Sequence, residues 1–168
     1  MELLAELSDK RTGLNSSALQ KFKIRKAARA VIIDTRGQVL IQHAVKGRYY
    51  KLPGGGAERG ESIMQTLRRE ILEETGYKIK VMKPIGAVIE YRHREKLLQL
   101  SYCFLARPDG KQGKTSLDHG EKLAGFVSEW HTKKRALALI KTGKKVLSPP
   151  FFIVTRDTLL LKRAGKLI

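Results

Sequence analysis

The chain has 168 residues, 42% of them hydrophobic, and a formal net charge of +18, which suits one globular domain and excludes wholesale disorder. No apolar stretch approaches the roughly 20 residues of a membrane span, and the N-terminal MELLAELSDK carries acids where a signal peptide carries bases, so a cytoplasmic protein without a membrane partner is expected. The lone Cys103 has no intrachain disulfide partner and in SYCFLA is expected to fill core space.

Residues 1–24 read as a basic N-terminal extension, a short apolar-acidic segment followed by the polar lead-in TGLNSSALQKFK. KAARAVIID then alternates, turns at DTRG and returns as QVLIQH, predicting a hairpin over residues 26–43. A short strand at YYKL runs into PGGGAERGE, whose three consecutive glycines after a proline exclude helix and regular strand. Ser62 with Gln65 has capping-box spacing, Met64, Leu67 and Ile71 recur at helical intervals, and Gly76 is a natural stop. Beyond the helix, YKIKVM, IGAVIEYRH, LLQLSYCFLA and LAGFVSEWH read as four strands, separated by Pro84, the turn RHREK and the polar loop RPDGKQGKTSLDHGEK. Thr132 is placed to cap a helix through KKRALALIK, and PPFFIVTRDTLLLKRAG reads as a final helix opened by proline. The pattern predicts an α+β sandwich, a mixed sheet between helices.

Charge is distributed unevenly. Residues 10–29 hold seven Lys or Arg and no acid, and residues 131–168 hold ten against Asp157 alone, so these two segments supply 16 of the net +18. Such segments concentrate phosphate-bearing ligands and would make nucleic-acid binding salt dependent. The alternative is a solvated surface, because aromatic residues for base stacking are not interleaved with the charges.

The stretch RREILEETG sets Glu70, Glu73 and Glu74 within an arc of roughly 100° on one side of its helix. Like charges at these spacings repel by a few tenths of a kcal/mol per pair, so either solvent disperses them or a cation sits between them. Beside them runs the apolar stripe of Met64, Leu67 and Ile71, which places the carboxylates at the edge of the core. Hard divalent cations such as Mg²⁺ take oxygen ligands of this kind and share phosphate oxygens with a substrate. The preceding loop is not a nucleotide P-loop, since Glu61 stands where the phosphate-binding lysine belongs. Nor is it a dinucleotide loop, since Arg59 occupies its last glycine position.

Residues 55–77, GGAERGESIMQTLRREILEETGY, resemble the Nudix box: a glycine, five residues, a glutamate, seven residues, then Arg-Glu-apolar-any-Glu-Glu-any-Gly-apolar. Gly55, Glu61, Arg69, Glu70, Ile71, Glu73, Glu74 and Gly76 match, and only Tyr77, aromatic where an aliphatic residue is usual, departs. The resemblance implies a Nudix-type α/β/α sandwich over residues 25–141, with residues 142–168 a basic C-terminal helix packed on or extending from it. It further implies a Mg²⁺- or Mn²⁺-dependent hydrolase of a pyrophosphate bond in a nucleoside diphosphate linked to another moiety. By carry-over, Glu70, Glu73 and Glu74 bind metal with the carbonyl oxygen of Gly54, Arg69 braces the carboxylates, and Glu61 ligates through water or fixes the loop. Glu73 and Glu74 count among the catalytic residues with Arg69.

The general base in this family sits in the box or in a later loop. Glu121 in DHGEKL is the first outside candidate and Asp118 the second, against both being exposed loop acids. His43, His93, His119 and His131 show no ligand spacing. Tyr49, Tyr50 and Trp130 are candidates to stack a base or to fill core, and Arg92, His93 and Arg94 to contact phosphates or form a solvated turn. The expected partner is a nucleotide polyphosphate, with an RNA 5′ end or a non-catalytic nucleic-acid-binding role as alternatives.

Overall fold

The computed structural model describes residues 1–8, 22–143 and 150–167. In chain order these form β1 (Leu3–Ser8), β2 (Lys23–Ile33), β3 (Gln38–Ala44), β4 (Tyr49–Lys51), α1 (Ile63–Thr75), β5 (Lys78–Arg92), β6 (Leu97–Asp109), α2 (His119–Ala124), β7 (Phe126–Thr132), α3 (Lys133–Thr142) and α4 (Pro150–Ala164). The strands make one mixed seven-stranded sheet, ordered β1-β5-β6-β2-β3-β4, with β7 also paired to β3. β1 runs parallel to β5 and β2 parallel to β6, from Lys23↔Leu97 to Ile32↔Ala106; the other pairs are antiparallel.

The expected hairpin forms because Asp34 organises its turn, accepting the Arg36 and Gln38 backbone N–H groups at 2.9 and 2.7 Å through Oδ1. Ser62 caps α1 in a reciprocal capping box with Gln65, and Gly76 ends it at φ 72° in the left-handed region. Leu67 and Ile71 bury the apolar stripe of α1 against Ala28, Ala30, Ile32 and Leu40 on one face of the sheet. On the other face α3 and α4 contribute Ala136, Leu139, Ile140, Leu160, Leu161 and Ala164. Each such Leu or Ile stabilises the fold by about 1.5–3 kcal/mol. Cys103 fills space in this second cluster, and burial pushes its thiol up to about 12.

Three expectations are corrected. YKIKVM and IGAVIEYRH are one continuous strand, because bulges between Val81 and Lys83 and between Pro84 and Gly86 absorb the proline that was expected to divide them. The polar loop is shorter than expected: β6 continues to Asp109, and α2 forms with Asp118 and Glu121 as a reciprocal capping box, so β7 begins at Phe126. Residues 3–8, not assigned a strand from the sequence, add the edge strand β1, with Leu4 and Leu7 packed on the core. Most of the polar lead-in lies outside the described residues.

Helix α4 is tied inward by charge as well as by packing. Arg156, 0% exposed, donates from Nη1 to Glu90 Oε1 at 2.9 Å and from Nε to Asp157 Oδ1 at 2.7 Å. Asp157 Oδ2 accepts the Leu52 backbone N–H at 2.8 Å, and Glu90 Oε2 accepts Arg92 Nε at 2.8 Å and Gln99 Nε2 at 3.0 Å. Burial pushes the Glu90 carboxyl up, but Arg156 and Arg92 outweigh it and hold it below its ordinary value. A depressed carboxylate stabilises the fold fully above its unfolded value of about 4.3 and loses that contribution as pH falls through the folded value. The Glu90 contribution to the stability measured by urea unfolding should therefore be constant from pH 7 to 5 and decline below about 4.3. Replacing Glu90 by Gln should flatten that acid limb.

Candidate active site

The glycine loop lies along β2 like an extra strand. Ala28 N–H donates to Gly55 O at 3.0 Å, Ala30 N–H to Pro53 O at 3.1 Å, and Ala57 N–H to Lys26 O at 2.9 Å. Small alanines on β2 let the loop approach. Gly54 adopts φ 121°, and a Cβ there would strike the Ala28 carbonyl. A Cβ on Gly55 would fall on the carboxylate of Glu70, so the first glycine of the motif leaves room for an acid rather than for a turn. Gly55→Ala should displace Glu70, destabilise the fold by about 1–3 kcal/mol and lower turnover roughly a hundredfold for a shift near 1 Å. Thermal unfolding and steady-state assays of the same preparation check both.

Arg69 fastens the loop to the helix. Its Nε and Nη2 donate to the two oxygens of Glu61 at 2.7 and 2.9 Å, Nη1 to Glu70 Oε1 at 2.9 Å and Glu73 Oε2 at 3.0 Å, and Nη2 to Gly56 O at 3.0 Å. Hydrogen bonds from Arg69 and from the Glu58 backbone hold Glu61 at about 2. Glu61 also accepts Thr66 Oγ1 at 3.0 Å, so it pins the loop against the first turn of α1.

Glu70, Glu74 and Glu121 present carboxylate oxygens that all lie within 4.8 Å of one another. Glu73 stands apart from this trio, its side chain 40% exposed and held by Arg69. Glu74, 2% exposed, accepts Lys51 Nζ at 2.6 Å and the Gly54 backbone N–H at 2.5 Å. Lys51 Nζ also donates to Gly54 O at 3.3 Å, so an ammonium bridges the carbonyl and one of the carboxylates assigned to a metal. Burial and then the charge of Glu74 raise Glu70, and burial chiefly, with Glu74 adding, pushes Glu121 up to about 7. An all-oxygen donor set whose members oppose one another's ionisation fits a hard divalent cation, which would relieve that repulsion.

Asp118, the second outside candidate for the base, also lines the cleft and is the N-cap of α2, its Oδ1 accepting the Glu121 backbone N–H at 2.7 Å. That bond and the return bond from Asp118 N–H to Glu121 Oε2 at 2.9 Å aim Glu121 toward Glu74. The spacing of Asp118 and Glu121 was the available signal for α2. Tyr50 stacks on His43 with centroids 4.1 Å apart, and Trp130 packs edge-on to Tyr77 in the core, so of the three aromatic candidates only Tyr49 lines the cleft.

Glu70, Glu74 and Glu121 line a cleft of about 340 Å³. Arg25, Arg29, Arg92 and Arg156 line the same cleft, with Phe126 and Ile153 adding apolar surface. Of these arginines only Arg92 was singled out in the sequence, and its guanidinium is committed to Glu90 and Glu95. Arg29 and Arg156 each interrupt an apolar run, AARAVII and FFIVTRDTLLL, and an ionisable residue at an inward position is the signal that could have found them.

Comparison with known proteins agrees with this architecture. The chain is 30% identical over 139 residues to the 8-oxo-dGDP phosphatase NUDT18 of Danio rerio, an alignment covering 76% of this chain and 40% of that protein. It is 25% identical over 116 residues to an RNA pyrophosphohydrolase of Pseudoalteromonas atlantica, covering 67% of this chain and 60% of that one. The chain thus spans about 40–60% of the length of these relatives. Among solved structures, a NUDIX hydrolase from Nitrosomonas europaea superposes with a TM-score of 0.62 at 25% identity, over 86% of this chain and 91% of that one. The E. coli ORF135 protein shares the fold, with a TM-score of 0.61 at 19% identity over 92% and 95% of the two chains. The family model described as NUDIX domain matches residues 23–150, and the chain belongs to the Nudix family.

Proposed function

We propose that this protein is a divalent-cation-dependent pyrophosphohydrolase that cleaves a nucleoside diphosphate linked to another moiety by attack of water on phosphorus. The observation that carries this reading is the two-signed cleft, lined both by the gathered Glu70, Glu74 and Glu121 and by arginines. Phosphoryl transfer needs that pairing, because water must approach phosphorus through a shield of negative oxygens. Mg²⁺ or Mn²⁺, which Glu70 and Glu74 would hold together with Glu73 and the Gly54 carbonyl on the same helix and loop, would neutralise charge developing on the phosphoryl oxygens. Arg69 keeps the carboxylates in place, and Glu121 accepts the proton of the attacking water.

The named activities of the two relatives and the basic segments favour a nucleoside polyphosphate or an RNA 5′ end as substrate. A non-catalytic scaffold is disfavoured, since all three box glutamates are present. The test is product formation from a panel of nucleoside diphosphate derivatives, nucleoside triphosphates and 5′-triphosphorylated RNA, with Mg²⁺ or with chelator. Turnover should require the metal and fall at least about a hundredfold in Glu74→Gln. RNA retained without any turnover would replace the hydrolase reading by the scaffold.

A further inference from the structure

The arginines lining the cleft outnumber the acids that pair with them among the described residues. Arg92 and Arg156 share Glu90 and Asp157, and Lys51 pairs with Glu74. Arg29 is 6% exposed, and among the described residues its Nε and Nη1 have no hydrogen-bond partner; Nη2 of Arg156 is also buried without one. Both side chains line the cleft that contains the carboxylates. Burial and the neighbouring charge of Arg156 bring Arg29 down to about 10, which still leaves it charged at neutral pH. A buried guanidinium with unmet donors costs stability, and such a group persists where an anion is to be received.

We infer that Arg29 and Arg156, joined by the exposed Arg25, form a receptor for a phosphoryl oxyanion separate from the carboxylate cluster, selecting substrates that carry a charged terminal phosphate over nucleotide sugars. Three unpartnered donor nitrogens on two neighbouring guanidinium groups match the oxygens of a phosphate, which accepts several charge-assisted bonds at once. The neutral hydroxyls of a sugar would leave both cations without a counter-charge. The inference rests on the hydrolase reading for its choice of substrate, but the receptor itself needs neither metal nor turnover.

The experiment follows from that independence. Calorimetric titration of the full chain with inorganic pyrophosphate in excess EDTA should show binding, weakened about ten- to a hundredfold in Arg29→Gln, the loss expected for charge-assisted bonds. Arg29→Met should raise the melting temperature of the unliganded protein while abolishing that binding. In the presence of Mg²⁺, Arg29→Gln should lower kcat/KM for a nucleoside triphosphate about tenfold more than for a nucleotide sugar. Competition by a nucleoside triphosphate and by 5′-triphosphorylated RNA in EDTA assigns the source of the phosphate. No pyrophosphate binding by the unaltered protein, equal binding by Arg29→Gln, or a lower melting temperature in Arg29→Met would overturn the receptor. Pyrophosphate binding without hydrolysis of any substrate would overturn the hydrolase reading alone.

Discussion

Glu121→Gln is expected to lower kcat by about 10²–10⁴-fold, the range for loss of a positioned general base, while the Mn²⁺ dissociation constant changes by less than about threefold. The side chain sits on α2, is aimed by the capping box with Asp118, and stands beside Glu74. Burial and Glu74 push it up to about 7, where a carboxylate is basic enough to take a proton from water and is still ionised in part. Steady-state kinetics alongside Mn²⁺ titration separates the roles. Turnover that survives the substitution excludes Glu121 as the base. A drop in Mn²⁺ affinity as large as the drop in kcat would make it a ligand instead.

Arg156→Met should produce the largest loss of stability among single substitutions away from the carboxylates. Removing the guanidinium leaves Asp157 buried with only the Leu52 N–H and deprives Glu90 of its Oε1 partner. Breaking one side of a buried pair costs about 3–5 kcal/mol, which for a domain of this size corresponds to roughly 6–20 °C in melting temperature. The helix that detaches first should be α4, since Arg156 links it to β5 and Asp157 links it to the segment after β4. Hydrogen exchange should show protection lost in α4 before α1. Loss of stability under about 1 kcal/mol would place the network among ion pairs that break even against apolar replacements.

Much of the fold was legible in the sequence because its signals are local. Ser62 and Gln65 cap α1, Gly76 ends it, Asp34 shapes the hairpin turn and Thr132 opens α3, and each acts through neighbours within a few residues. The misreadings occur where pairing across the sheet overrides a local rule. Pro84 breaks isolated strands, yet β6 supplies a partner along both sides of the bulge and keeps β5 whole. The segment around Leu4 has little strand character until β5 offers it an edge.

The same division runs through the cleft. The spacing of the motif alone established one helix face with Glu70, Glu73 and Glu74, a glycine loop ahead of it and Arg69 between them, because a helical repeat converts sequence distance into direction. Tertiary structure alone decided that Glu121, 47 residues beyond Glu74 in the numbering, joins Glu70 and Glu74 while Glu73 turns aside. It also decided that Arg29 and Arg156 from β2 and α4 line one cleft with them. No periodicity encodes such meetings: they depend on which strands pair and on where α4 docks, and those are set by burial of apolar surface over the whole chain.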